Sequence, residues 1–322
     1  MTKGWLSSYI ENIKTNKFEQ SDLEDFIKLK EPYIPKKLYR FRPLSEDIIN
    51  INNVGYFKAD LELANFENSE MYLSSPEQFN DPYDSKLLVD PYNFFNLFLK
   101  SDKICELYKI DREELIRKSD IKNNIYPKDF FYNYKKWFDL YSNLLHHSTS
   151  ILRIGCLTEN DYTNMLMWSH YASQHSGYCI EYDISEFANN HVYKRCLFPI
   201  YYSDKIFDMS EHVIQIIEGI ADAPFNNDNK ISNIKFWIFI ATLIKLKDWN
   251  YEREWRIIAY NGTKELKNNN LFTTPKAKSV YLGVNIQDFR KERIISICKN
   301  QNINVFQMFQ KGDEYSLIAL PI

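Results

Sequence analysis

Glycine is scarce in this chain, and that scarcity constrains what it can fold into more than any other feature. Only 8 of 322 residues are glycine (Gly4, Gly55, Gly155, Gly177, Gly219, Gly262, Gly283 and Gly312), and no two lie closer than 21 positions. A Gly-x-Gly-x-x-Gly turn, a Walker-type phosphate loop and a kinase glycine loop all need clustered glycines, so each is excluded. Any nucleotide held here must be gripped by side chains.

Forty Lys and Arg against 43 Asp and Glu leave a net charge of −3, without the basic footprint of a nucleic-acid binder. Aromatics reach 16%, with 23 Tyr and 22 Phe, which points to a core built from rings. The five cysteines are irregularly spaced and contain no Cys-x-x-Cys, excluding a disulfide framework or zinc ribbon. Reduced, buried thiols and a start without an apolar leader-like run place the expected location in the cytoplasm. The longest apolar stretch, Phe236 to Ile244 between Lys235 and Lys245, is too short to cross a bilayer and reads as a buried helix. No membrane partner is expected.

The pattern predicts an α+β fold: a central mixed or antiparallel sheet with helical insertions. Residues 1–36 read as an N-terminal helical segment. Residues 37–322 read as a single α+β domain with a mostly helical insertion at about 91–150. Strands are expected at 37–42, 71–75, 151–157, 178–183, 192–202, 249–260, 279–282, 305–309 and 315–319. Helices are expected from Ser45 to about Asn52, over 163–173, in two segments ending at Lys247, and over 286–298.

Four segments join polar density to aromatics. On a strand, Tyr39-Arg40-Phe41-Arg42 puts both arginines on one face, where they could hold a phosphate or carboxylate; a solvated edge strand is the plainer alternative. Ser74-Ser75-Pro76 runs into Phe79-Asn80-Asp81-Pro82-Tyr83-Asp84, a loop suited to Asx turns or to presenting ligand-binding groups. In Met167-Trp168-Ser169-His170-Tyr171-Ala172-Ser173-Gln174-His175-Ser176-Gly177, a helix would put Trp168, Tyr171 and His175 near one face. That face suits ring stacking or core packing. Ser169 and His170 diverge as sequence neighbours on a helix and form no dyad; Gly177 reads as the helix stop. As a strand, Trp249-Asn250-Tyr251-Glu252-Arg253-Glu254-Trp255-Arg256 would align Glu252, Glu254 and Arg256. Such a face could bind a ribose hydroxyl or polarise a nucleophile, or could simply hold surface ion pairs.

These segments, in this order, resemble the bacterial domain-of-unknown-function 2971 family, with Tyr281-Leu282-Gly283 similar to its late strand-to-turn element. The order of parts is also similar to ADP-ribosyltransferase-like folds, which hold NAD without a glycine-rich loop. That resemblance implies that Arg40 or Arg42 grips the dinucleotide and that Ser74 and Ser75 support the nicotinamide ribose. It further implies that Glu254 stabilises the ribosyl cation, that Glu252 orients an acceptor, and that Trp168 or Tyr171 stacks on a ring. Tyr39, Asn80, Asp81, His170, His175 and Arg256 complete the expected ligand-binding set. The resulting expectation is an NAD-using enzyme that modifies a macromolecular acceptor or depletes the cofactor, in a toxin or phage-defence setting, with no metal. The alternatives are a non-catalytic nucleotide- or protein-binding sensor module, or a metal-dependent hydrolase or nuclease using Asp81, Asp84, Glu252 and Glu254.

Overall fold

A computed structural model describes residues 4–15, 20–44, 48–51, 54–57, 61–120, 149–222, 238–264, 266–267 and 270–322, with isolated positions between 123 and 132. The chain opens with α1 (Gly4–Thr15), α2 (Gln20–Lys30), β1 (Lys37–Arg42), β2 (Ile48–Ile51), β3 (Val54–Phe57), α3 (Leu61–Glu67) and β4 (Glu70–Tyr72). Next come β5 (Leu87–Leu88), α4 (Pro91–Lys100), α5 (Asp102–Leu107), α6 (Arg112–Lys118), β6 (Leu152–Thr158), α7 (Met165–Tyr171) and β7 (Tyr178–Asp183). They are followed by α8 (Val192–Arg195), β8 (Leu197–Pro199), β9 (Tyr201–Ser203), β10 (Phe207–Asp208), α9 (Ser210–Asp222) and β11 (Ile244–Leu246). The last stretch holds β12 (Glu254–Tyr260), β13 (Leu266–Lys267), β14 (Leu271–Thr273), β15 (Ala277–Leu282), α10 (Asp288–Asn300), β16 (Asn304–Gln310) and β17 (Leu317–Pro321).

The chain divides into two compact units. The first comprises Met1–Phe26, Ser75–Leu152 and Tyr201–Asp248; the second comprises Ile27–Ser74, Arg153–Ile200 and Trp249–Ile322. In the first, α4 packs on α9 through a core that includes Phe94, Phe95, Phe98, Val213 and Ile217. Asp90 caps α4 by accepting from the Asn93 amide at 2.7 Å. His212 on α9 is buried beside the Phe207 ring.

The second unit is built on a mixed eight-stranded sheet, ordered β17-β16-β15-β7-β1-β6-β12-β8, so the α+β class with a large mixed sheet is what the structure has. β1 pairs antiparallel with β7 from Lys37↔Asp183 to Arg42↔Tyr178, and β15 pairs parallel with β16. Both faces of β1 are buried. Leu38, Tyr178, Ile180, Trp255 and Ile257 pack with Leu63 and Phe66 of α3 and Ile294 and Ile297 of α10. Tyr39, Phe41, Cys179 and Tyr281 pack instead with Met167 and Trp168 of α7. β1 is therefore a central strand covered on both sides, and the solvated-edge reading of its arginines is set aside.

Four expected elements are corrected. The helix from Ser45 is replaced by the β2–β3 hairpin, where the β-branched Ile48, Ile49 and Ile51 suit a strand; Ser45 itself lies outside the described residues. The strand expected over 192–202 begins as α8, because the Lys30 amino group binds the carbonyls of Lys194 and Arg195 at 2.8 Å and of Leu197 at 2.5 Å. The helix expected to end at Lys247 stops after Ala241, and Ile244–Leu246 pairs with β9. The strand expected from Trp249 begins only at Glu254; Lys247–Glu252 is a 3₁₀ turn. There, Asn160 Nδ2 takes the Tyr251 carbonyl at 2.6 Å and Thr158 Oγ1 takes that of Glu252, while Arg253 has a φ of +47°. Side chains thus offer this backbone an alternative to the ladder. Most of 121–148, including the Trp137-Leu140-Leu144 stripe, lies outside the described residues.

Two glycines are required by close backbone packing. A Cβ on Gly177 would stand 2.1 Å from the Arg42 carbonyl oxygen, and one on Gly283 would stand 2.1 Å from that of His175. Gly177→Ala and Gly283→Ala should each lower stability by on the order of 3 kcal/mol, read from urea unfolding. Gly312→Ala, with nothing within 4 Å of the new carbon, should change it by less than about 0.5 kcal/mol. Burial also pushes the His212 pKa down, from 6.5 to about 4, with Asp208 opposing the shift. The folded protein takes up this proton less readily than the unfolded chain. The stability contributed by neutral His212 is therefore complete above pH 6.5 and lost as pH falls toward about 4. At pH 5 the loss should reach about 2 kcal/mol relative to pH 7, and His212→Gln should remove that part of the pH dependence.

Candidate functional site

The register of the sheet decides which of the singled-out residues can meet. Tyr39 pairs with both Glu181 and Thr158, so these three share a face, and Arg40 and Arg42 point to the other. On their own face, Arg42 Nη2 lies 2.6 Å and Arg40 Nη2 3.8 Å from the Glu62 carboxylate of α3. The two arginines come together as expected, but they face an acidic residue that the sequence reading did not single out. Sequence offered no cue to Glu62, because the contact depends on where α3 packs.

The opposite face carries a hydroxyl-rich network. Glu181, 3% exposed, accepts from the Tyr281 hydroxyl at 2.6 Å and pairs with Lys37 at 2.7 Å. Burial, reinforced by Glu181, pushes the Tyr39 and Tyr281 phenols above their ordinary pKa. Tyr162 stacks on Tyr281 with centroids 4.0 Å apart. Trp168 is wholly buried: its ring meets Phe41 edge-on at 5.2 Å and its indole N–H donates to the Tyr162 carbonyl at 2.7 Å. It is a core residue and offers no open ring face to a ligand.

On this side lies Glu252, buried at the end of the 3₁₀ turn, whose carboxylate accepts from the Tyr171 hydroxyl. Next to this Tyr171 ring, itself half-buried, stands exposed His170, 6.4 Å from Tyr171 and 6.0 Å from half-buried Tyr251. Half-buried Trp249 stands 6.0 Å from Tyr251. The result is a rim of accessible rings around a carboxylate already engaged by a hydroxyl. Tyr251 and Trp249 stand in a segment that the sequence reading singled out, but a strand there would have turned Tyr251 away from Glu252.

Glu254 and Arg256 lie on one face of β12 as expected and use that proximity on each other. Arg256 Nε donates to Glu254 Oε1 at 2.8 Å and Nη2 to Oε2 at 3.2 Å, with the guanidinium side chain 0% exposed. Glu252 stands outside that strand, at the end of the 3₁₀ turn, with the left-handed Arg253 between it and β12. Ser74 forms a backbone bridge with Ile154, at 2.8 and 2.9 Å. Ser75, Asn80 and Asp81 belong to the first unit. There the Ser75 amide donates to Gln78 Oε1 at 3.0 Å, Asp81 Oδ1 accepts from the Tyr83 amide at 2.8 Å, and Asn80 is exposed. These are turn-forming roles. Half-buried His175 stacks on Trp168, and its Nε2 lies 3.3 Å from Ser169 Oγ. A pair six residues apart across a helix end has no periodicity to announce it. Among the described residues no group of three or more His, Cys, Asp or Glu is placed to hold a metal ion.

Removing one partner of the buried ion pair should strand the other charge. Glu254→Gln should cost about 3 kcal/mol in urea unfolding. Arg253→Ala, which removes an exposed bridge to Glu159 at 2.8 Å, should cost less than about 1 kcal/mol.

Among the described residues no helix is long and apolar enough to cross a membrane. The chain matches no curated protein and no solved structure. Residues 167–257, which run from α7 through Tyr171, His175 and Glu252 into β12, match the family described as Protein of unknown function (DUF2971).

Proposed function

We propose that the second unit binds a nucleotide at the rim formed by His170, Tyr171, Tyr251 and Trp249. The observation that carries this reading is the set of accessible rings around the buried Glu252 carboxylate. Ring faces stack on a planar base without sequence or hydrogen-bond demands. The Glu252 carboxylate and the Tyr171 phenol oxygen supply acceptors for ribose hydroxyls. The resemblance to ADP-ribosyltransferase-like folds makes NAD the first nucleotide to test. In that chemistry Glu252, rather than Glu254, would stabilise the ribosyl cation, and a macromolecule would accept the ADP-ribose. Arg40 and Arg42, on the other sheet face, would then take no part in gripping NAD.

Titration calorimetry with NAD, ADP-ribose and ATP tests binding, and nicotinamide release from NAD tests turnover. Tyr251→Ala should weaken binding roughly 10- to 100-fold, the loss expected for one stacked base. Glu252→Gln should abolish nicotinamide release if NAD is cleaved. Binding without release would leave a nucleotide sensor, the second reading supported by the same rim. Failure of all three nucleotides to bind, or equal binding by Tyr251→Ala, would remove the proposal.

A further inference from the structure

Ser169 and His175 meet because the chain reverses tightly after α7. Ser173, Gln174 and His175 have φ values of +46°, +53° and +68°. Left-handed residues other than glycine cost on the order of 1–3 kcal/mol each and persist only where the surroundings over-determine them. Here they do. The Asn285 amide donates to the His175 carbonyl at 2.9 Å, and Asn285 Nδ2 donates to that of Gln174 at 3.2 Å. The His175 amide donates to the Trp168 carbonyl at 3.3 Å, and the Gly177 amide to that of Ala172 at 2.8 Å. The reversal lays the imidazole on the Trp168 ring, centroids 6.2 Å apart and planes 13° from parallel, and brings Nε2 to Ser169 Oγ.

Both partners are in states that suit proton transfer. Burial pushes the His175 pKa below its ordinary value, so the ring is neutral near pH 7. Its Nδ1 is buried without a hydrogen-bond partner among the described residues, and the ring is held by stacking and backbone. Ser169 is exposed, and its single hydroxyl proton has two acceptors in reach: the Met165 carbonyl at 3.0 Å and His175 Nε2 at 3.3 Å. A solvent-facing hydroxyl within reach of a neutral imidazole is the arrangement of a nucleophile and its base when the ring proton sits on Nδ1 and Nε2 accepts.

We infer that Ser169 is a nucleophile and His175 its general base, in acyl transfer from a carboxylic ester. The Oγ proton passes to Nε2 as Oγ bonds to the ester carbonyl carbon, whose π pair moves onto the carbonyl oxygen. That pair then re-forms the carbonyl, the bond to the leaving alcohol oxygen breaks, and Nε2 returns the proton to the alkoxide. Water, giving a proton to the same nitrogen, attacks the acyl-serine. The carboxylic acid leaves and Ser169 recovers its proton. The site is separate from the Glu252 rim in its reacting groups and does not depend on nucleotide binding.

The full chain is treated with a fluorophosphonate, an irreversible mimic of the ester, and adducts are mapped by peptide mass spectrometry. An adduct on Ser169 that forms at least tenfold more slowly in His175→Asn is expected, since a general base contributes on the order of 10²-fold or more. Absence of an adduct on Ser169, or an equal rate in His175→Asn, would overturn the assignment. Ser169→Cys guards against a folding defect, because exposed Cys156 is a reference thiol in the same molecule. Its introduced thiol should react with iodoacetamide at least tenfold faster than Cys156, and His175→Asn in the same chain should erase that advantage. Equal rates with His175 present would also overturn it.

Discussion

The second unit depends on backbone touching backbone at Gly177 and Gly283. The Gly283 amide donates to the Gly177 carbonyl at 2.9 Å, and neither residue has space for a side chain. This contact lies where Arg42, Tyr178 and Leu282 come into register across β1, β7 and β15. It joins the end of one strand, the reversal after α7 and the start of the next strand at van der Waals distance. The position of His175 follows from it, because the atom that excludes a Cβ at Gly283 is the His175 carbonyl oxygen. A chain poor in glycine uses two of its few glycines where no other residue fits.

The sheet register then separates charges that are close in the imagination of a linear reading. Arg40 and Arg42 face α3 and Glu62, while Glu252 and the rings of α7 lie on the side of Tyr39 and Phe41. Glu254 and Arg256 satisfy each other inside β12. A buried guanidinium needs such a partner, since desolvating either ion alone is costly. Burial of both faces of β1 thus turns residues that look ligand-seeking in sequence into internal ion pairs, and leaves Glu252 as the carboxylate beside accessible rings.

Much of this sheet was legible in the sequence because its strands have local stops. Pro43 follows β1, and the strand at 178–183 agrees with β7 residue for residue; Gly177, expected as the helix stop, lies beyond the helix end at Tyr171 and is needed instead for close packing before β7. What was not legible came from partners far away in the chain. The strand pattern through Tyr251 and Glu252 yields to Asn160 and Thr158, about ninety residues earlier. Alternation identifies the shared face of Arg40 and Arg42 but is silent on whether that face meets Glu252, because that requires the pairing of β1 with β6 and β7. The isoleucines at 48, 49 and 51 favoured a hairpin over the helix suggested by a lone Ser45 cap. The Ser169–His175 meeting rests on three left-handed residues, none of them glycine, which no composition rule anticipates.

The buried Lys30 has a consequence in time. Its amino group sits over the Phe198 ring at 3.6 Å and ends on three carbonyls, the last of them 167 residues further along the chain. Burial without those carbonyls would leave an ammonium desolvated and unsatisfied, so α2 cannot adopt its final seat until Leu197 exists. At ribosomal speeds of roughly 5–20 residues per second, that interval is on the order of 10–30 seconds. Through it the early helix must keep its lysine in water. Docking of α2 is thereby tied to synthesis of the middle of the protein, and a nascent chain stopped before α8 carries an N-terminal segment whose charged side chain has no acceptor waiting for it.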